Sequence, residues 1–428
     1  VLDVVILRTN DSAAGICWSD GLYNSPNGPE FCRNISFADR IKKLSEAVRG
    51  ETNIKIYTGG NVSSREQKDL LAQDEKSGFY VHIGAGNGND RTLTGRQISF
   101  PLYPLKGLAN PVEIIEHMSD AFAKKQRNIA FFTYPTMYGS NWNGDQVLIR
   151  AIGDMVRNPS CSFLHKIDIL KKLATGQYGE GNADDVIAAW WNISRAGELM
   201  KKYDRGMNMI FLGVLAQRWL TRPFVVLPES LTEDEKSHYI KHVFQVNKSH
   251  ENLDLLNCQG SRSIDAMEHL KHFNRDIDFV CGEYAKAKQA LTRAYERSRD
   301  VRLKDEIASL DILLCLMKNI RNCANFQVYL ETMKDKLTKY ANMTDLYSLV
   351  EVERAELYGI MRSEIENCER LANLLETSDC KLIFHAKTPD GETPFMLGPD
   401  IVADLRKKTK IMFKHWLDMN QLVAPPNK

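Results

Sequence analysis

Apolar residues recur along the chain in two different rhythms. Over roughly the first 160 residues they fall in short runs bounded by polar or glycine-rich segments: Val4 to Leu7, Ile54 to Tyr57, Phe79 to Ile83 and Ile129 to Thr133, with a looser extended piece from Ile98 to Tyr103. Between the runs lie stretches of helical spacing, from about Phe37 to Val48, Ser64 to Gln73, Pro111 to Lys125 and Asp145 to Val156. Alternation of this kind predicts a parallel sheet covered by helices. About four strand-helix repeats are present where a closed (β/α) barrel needs eight. The expectation is either a small open sheet or the second half of a barrel.

Beyond residue 160 the strand rhythm gives way to spacings of three and four. Leu303, Ile307, Leu310, Leu314 and Met317 form one stripe, and Leu357, Met361, Ile365, Cys368, Leu371 and Leu375 another. With Asp184 to Tyr203, Ile264 to Tyr295 and a last helix from Pro399 to Met419, these predict a helical domain of five or more helices. Arg222-Pro223 and Leu227-Pro228 interrupt it, and Ser230 with Glu233 has the spacing of a capping box that restarts it. Thr388 to Gly391 reads as a turn, so 381–398 is expected to be a loop or short hairpin. The fold class expected is α/β plus all-α: a partial, second-half TIM-type (β/α) barrel over residues 1–160, then a large α-helical domain over 161–428.

Charge narrows the partners. Lys plus Arg number 56 against 55 Asp plus Glu, so no basic field draws nucleic acid or an anionic membrane, and neither is expected as a partner. The longest apolar run, Met209 to Ala216, is far short of the roughly 20 residues that span a bilayer. Nine cysteines include no CxxC pair and no Cys/His spacing suited to zinc, so neither metal nor cofactor is expected. Cys17 and Cys32 flank one loop, where pairing and free thiols are both open. Asn-x-Ser/Thr sequons occur at Asn10, Asn34, Asn61, Asn192, Asn247 and Asn342, of which Asn192 falls in a predicted helix. The sequons do not establish secretion, and the compartment is left open, with a periplasmic or extracellular setting favoured over the cytoplasm.

Candidate chemistry gathers where the predicted strands stop, since reacting groups of a (β/α) barrel project from the carboxyl ends of its strands. Asn10 and Asp11 follow the first strand, Thr58 to Asn61 the second, Gly84 to Asp90 the third, and Tyr134, Tyr138, Trp142 and Asp145 the last. Glycosidic cleavage needs one carboxylic acid and one carboxylate roughly 5 to 10 Å apart. Asp11 is the candidate base, on the firmest part of the scaffold, with Glu30 and Asp145 as further catalytic candidates and Asp20 and Asp90 within reach. The plainer account is that Asn-Asp-Ser only turns the chain and that Glu30, after Asn27-Gly28-Pro29, is a solvated turn residue. Asn10, Trp18, Tyr23, His82, Asn87, Tyr134, Tyr138 and Trp142 are the candidate sugar-binding residues; aromatic faces with polar edges suit sugar rings, and equally cover the top of a sheet. Gly84-Ala85-Gly86-Asn87-Gly88-Asn89 is not the GxGxxG of a dinucleotide site, because no helix opens after it. Trp190 and Trp191 lie on one helix, one expected in the core and the other against the barrel. No Ser-His-Asp elbow, Walker loop or HExxH occurs.

Several phrases taken together resemble glycoside hydrolases. LRTNDSAAGICW with GLYNSPNGPEFC, YGEGNADDVIAAWWNISRA, RPFVVLPESLTEDE and TPFMLGPDIVADLRKKTKIMFKHWLD are similar to the second half of barrel proteins related to the α-glucuronidases, which also carry a helical C-terminal domain. The YG…AD-x-x-I…W stretch is the most family-like. The resemblance implies a general acid on an earlier barrel strand, on an upstream fragment or chain that completes the barrel, and base or water-positioning carboxylates on later strands, where Asp11 is the nearest match. The expected function is hydrolysis of an oligo- or polysaccharide, by a glycoside hydrolase or its C-terminal portion. The alternatives are a non-catalytic carbohydrate-binding or scaffold protein and a helical interaction module; apolar stripes on long helices leave room for a homodimer.

Overall fold

The computed structural model describes residues 4–9, 55–60, 79–82, 92–97, 108–125, 129–132, 143–159, 162–200, 219–241, 263–377 and 397–423, with isolated positions between 39 and 47 and at 383 and 385. The chain divides into two compact units. One comprises Val1–Ile98, Ile114–Ser140 and Ala151–Ile169; the other comprises Ser99–Glu113, Asn141–Arg150 and Leu170–Lys428.

The first unit holds five strands, β1 Val4–Thr9, β2 Lys55–Gly60, β3 Phe79–His82, β4 Thr92–Gln97 and β5 Ile129–Phe132. All neighbours are parallel, in the order β1-β2-β3-β4-β5. Each strand lies beside its predecessor in sequence, the connectivity of a barrel wall; a doubly wound sheet reverses its strand order at a switch point. The described residues form no barrel, since β1 and β5 are the edges and no pairing joins them. β4 is a strand that the apolar rhythm did not announce. Its Thr-Leu-Thr-Gly-Arg-Gln has too little apolar content to announce a strand, yet parallel pairing on both sides holds it extended. Residues 98–103 lie outside the described residues, as does 64–73.

Helices α1 (Pro111–Ala123), α2 (Asn143–Arg157) and α3 (Phe163–Tyr178) run across the boundary between the units in sequence. The second unit then builds α4 (Ala183–Met200), α5 (Glu233–Lys241), α6 (Ser263–Ser298), α7 (Val301–Lys339), α8 (Glu351–Thr377), α9 (Ile401–Lys414) and α10 (Asp418–Val423). They pack in succession, α6 on α4, α7 on α6, α8 on α7 and α9 on α8. The expected large helical domain is thus present.

The α6–α7 hairpin turns at Arg299, whose φ of 55° places it in the left-handed cap conformation, and Asp300 then caps α7 by accepting from the Arg302 amide at 2.9 Å. Its register is locked by a reciprocal amide pair, Asn274 and Asn325, at 2.8 and 2.9 Å, and by Lys288 on Asp311 at 2.8 Å. The α8 stripe is buried along its whole length, Leu357, Met361, Ile365, Cys368, Leu371 and Leu375 each being 6% exposed or less. On α7 the stripe is fully buried at Leu303, Leu310 and Met317 and half-buried at Ile307 and Leu314. Phe224 stacks on Phe326 at 4.6 Å between ring centres, within a cluster that includes Met333, Met412 and Met419.

Two expectations are corrected here. The helix after Pro228 is capped by Thr232 and Glu235, not by Ser230 and Glu233: the Thr232 amide donates to Glu235 Oε2 at 2.8 Å, and the Glu235 amide to Thr232 Oγ1 at 3.4 Å. The last helix is broken at His415 to Leu417 into α9 and α10. The isolated bridge between His385 and Leu397 is parallel, which, of the two expectations for 381–398, fits the loop and not the antiparallel hairpin.

Candidate functional site

Because all five strands run in one direction, their carboxyl ends lie along one edge of the sheet. Thr9 stands opposite Gly60 at the ends of β1 and β2, and Gln97 stands opposite Phe132 at the ends of β4 and β5. His82, the last residue of β3, pairs with Leu93 near the start of β4. Asn10 and Asp11 are the next two residues after Thr9 in the chain, Asn61 follows Gly60, and Tyr134 follows Phe132 by two.

Of the residues singled out from the sequence, His82 and Asp145 belong to described elements, at the end of β3 and as the third residue of α2. Asn10, Asp11, Trp18, Tyr23, Glu30, Asn87, Tyr134, Tyr138 and Trp142 lie outside the described residues, as do Asp20, Asp90, Tyr103, Cys17 and Cys32. Trp190 is fully buried in α4 and Trp191 half-buried. Asn192 sits in α4 with its amide donating to the Ala188 carbonyl at 2.8 Å, which ties that sequon to the helix.

The helical unit contains polar clusters that the sequence pattern did not single out. Glu364 and Lys408 are both wholly buried and meet at 2.5 Å. Asn319 and Asn322 donate to the two Glu364 oxygens at 2.6 and 2.8 Å, and Lys408 also donates to the Leu220 carbonyl at 2.8 Å. Burial pulls the Lys408 ammonium down, but the Cys368, Glu364 and Cys323 side chains outweigh it and hold the group above its usual value. Every strong partner is another part of the fold, so the cluster is an internal brace. Part of its signal was available: Ile360, Met361 and Cys368 stand three or four residues from Glu364, and Leu405, Ile411 and Met412 stand three or four from Lys408.

A second cluster surrounds His415. Its Nε2 faces Glu235 Oε2 at 3.2 Å; its Nδ1 faces Asp418 Oδ2 at 2.8 Å and Ser230 Oγ at 3.1 Å. A serine relay needs the serine and the acid on opposite ring nitrogens. Glu235 does lie on the ring nitrogen opposite Ser230, but Ser230 Oγ gives its one proton to Asp418 at 2.5 Å rather than to the imidazole, so the group is a tie across the α9–α10 break. Burial raises the Glu235 carboxyl, but bonds from Lys414, Thr232 and His415 win and lower it to about 2.

Open grooves mark the helical surface. One of about 470 Å³ lies among α6, α7 and α8, lined by Asp278, Cys281, Lys318, Arg321, Glu356 and Arg370, and one of about 570 Å³ lies against Phe413, Trp416 and Leu417. Among the described residues no cluster of His, Cys, Asp and Glu is arranged to hold a metal, and no helix is long and apolar enough to cross a membrane.

No protein-family model matches the sequence, and no curated protein matches it. The fold is similar to the solved structure of a GH138 enzyme targeting pectin rhamnogalacturonan II, with a TM-score of 0.50 and 11% identity over 89% of this chain. The chain spans 44% of the length of that enzyme. At this identity the likeness is one of fold, to a glycoside hydrolase.

Proposed function

We propose that this chain carries the strand-edge wall and helical domain of a glycoside hydrolase that acts on an oligo- or polysaccharide. The observation that supports this most is the sheet: five parallel strands in sequential order, with their carboxyl ends on one edge and polar segments following them. The fold likeness to a glycoside hydrolase adds to it, and the name of that enzyme makes an acidic, pectin-like polysaccharide the first substrate class to try. The kinship with α-glucuronidases and the reading of residues 1–160 as a half barrel and 161–428 as a helical domain belong to this proposal.

In it Asp11, two residues beyond β1, removes a proton from the attacking water, and a second carboxyl protonates the leaving oxygen. Glu30 and Asp145 are the candidates for that second group in this chain, unless an upstream segment provides it. Asn10, Trp18, Tyr23, His82, Asn87, Tyr134, Tyr138 and Trp142 bind the sugar rings. The test is Asp11→Asn in the full protein, assayed on aryl glycosides and on pectin-derived oligosaccharides. The expected outcome is a fall in kcat of about 10²- to 10⁴-fold with the thermal midpoint unchanged. Undiminished kcat in this variant would overturn the assignment of Asp11. Glycan binding without hydrolysis by the unmodified protein would move the function to the carbohydrate-binding alternative.

A further inference from the structure

Tyr178 ends α3 within the YGEGNADD stretch. Gly179 after it takes a φ of 86°, open to glycine and rarely adopted by other residues, so the chain turns at once into the short helix Glu180–Asn182. The Tyr178 hydroxyl thereby reaches the first turns of α7, where it donates to Glu306 Oε1 across 128 residues of sequence. Glu306 is 2% exposed, and its Oε2 has no hydrogen-bond partner among the described residues. Tyr178 is itself buried, edge-on to Trp190 of α4 at 6.4 Å between ring centres.

Tyr178 from α3 acts on Glu306, as do Asp300, Arg302 and Asp305 from the start of α7. Arg302 is the cation of this set, and its guanidinium is engaged by Asp300 through contacts of 2.5, 2.9 and 3.1 Å. It lies over the Tyr178 ring, 5.4 Å from its centre. Among the described residues, an ionised Glu306 would therefore be a buried anion with a phenol for its one hydrogen-bond donor. Burying such a charge costs several kcal/mol, and a carboxyl in that position sheds the charge by keeping its proton.

We propose that Glu306 is a buried proton-carrying acid and that its protonation state makes the joint between the end of α3 and the start of α7 a pH-sensitive latch, stable while the carboxyl is neutral and destabilised when it ionises, because the Tyr178 hydrogen bond, though stronger to the charged form, offsets only part of the cost of burying that charge. Burial pushes the Glu306 carboxyl from 4.5 up to about 8, with the Tyr178 hydrogen bond and Arg302 opposing the rise and Asp300 and Asp305 adding to it. The folded state thus holds this proton more tightly than the unfolded chain. The stabilisation is full below about pH 4.5 and is lost as pH rises towards about 8.

The experiment is the thermal midpoint of the full chain against pH, for the unmodified protein, Glu306→Gln and Tyr178→Phe. Glu306→Gln keeps a neutral side chain of the same shape, so the unmodified protein should lose midpoint relative to it between about pH 5 and 8. Tyr178→Phe removes a bond that favours the charged form, so the decline should extend to higher pH; a merely structural tyrosine would lower the midpoint equally at every pH. Parallel curves for the unmodified protein and Glu306→Gln would overturn the proposal. Should Glu306→Gln fail to fold, infrared titration of the unmodified protein decides. A protonated-carboxyl band that survives at neutral pH and titrates away near pH 8 supports the latch, and its absence at neutral pH refutes it.

Discussion

Lys408 shows how a charged residue can occupy a core. Its ammonium is wholly buried, bonded to Glu364 at 2.5 Å and to the Leu220 carbonyl at 2.8 Å, with the Phe224 ring centre 4.8 Å away. Lys408→Met would leave Glu364 buried without its cation, and a loss of about 3 to 5 kcal/mol is expected in urea unfolding. The double variant Lys408→Met, Glu364→Leu should recover a good part of that, because two apolar groups carry no desolvation penalty. At Glu235 the sign with pH is opposite to that at Glu306. Its carboxyl is lowered from 4.5 to about 2, so the stability it contributes is present above about pH 4.5 and lost as pH falls to about 2. In acid titration followed by circular dichroism, Glu235→Gln should be less stable at neutral pH and lose less on acidification; identical pH profiles for the two proteins would refute this.

The start of α5 illustrates what local pattern leaves undecided at the level of an element. A Ser/Thr-x-x-Glu spacing occurs twice within six residues, as Ser230…Glu233 and Thr232…Glu235. Pro228 opens a tight 3-10 turn, in which Ser230 Oγ lies 2.8 Å from the Leu227 carbonyl oxygen and donates its one proton to Asp418, 188 residues away. That leaves Thr232 to begin the helix. Thr232→Ala is expected to cost about 1 kcal/mol, the ordinary worth of a cap. Ser230→Ala should act through the contact with α10 instead, weakening protection of α10 amides in hydrogen exchange while sparing those of α5. Equal effects of both substitutions on α5 would refute the assignment. The break at His415 has the same origin: the local sequence continues the helix, and a buried histidine held between Glu235 and Asp418 stops it. Strand β4 is the converse case, where pairing with β3 and β5 extends a segment whose own side chains are mostly polar.

At the scale of the whole molecule, hydrophobic rhythm was enough to separate a strand-bearing part from a helical part. Short apolar runs separated by helical spacings admit a sheet of parallel strands, and stripes at three and four residues admit long helices packed face to face. The α8 stripe needed nothing more, since six residues at that spacing must lie on one side of one helix. The order of the strands, the partners of β4, the choice between two caps and the burial of Glu364, Lys408 and Glu306 depended on tertiary structure. Each joins residues far apart in the chain: 128 positions separate Tyr178 from Glu306, and 44 separate Glu364 from Lys408. Periodicity reports which side of an element is apolar, while a buried charge is tolerated only where a distant partner meets it or its proton stays bound, and that is settled by packing.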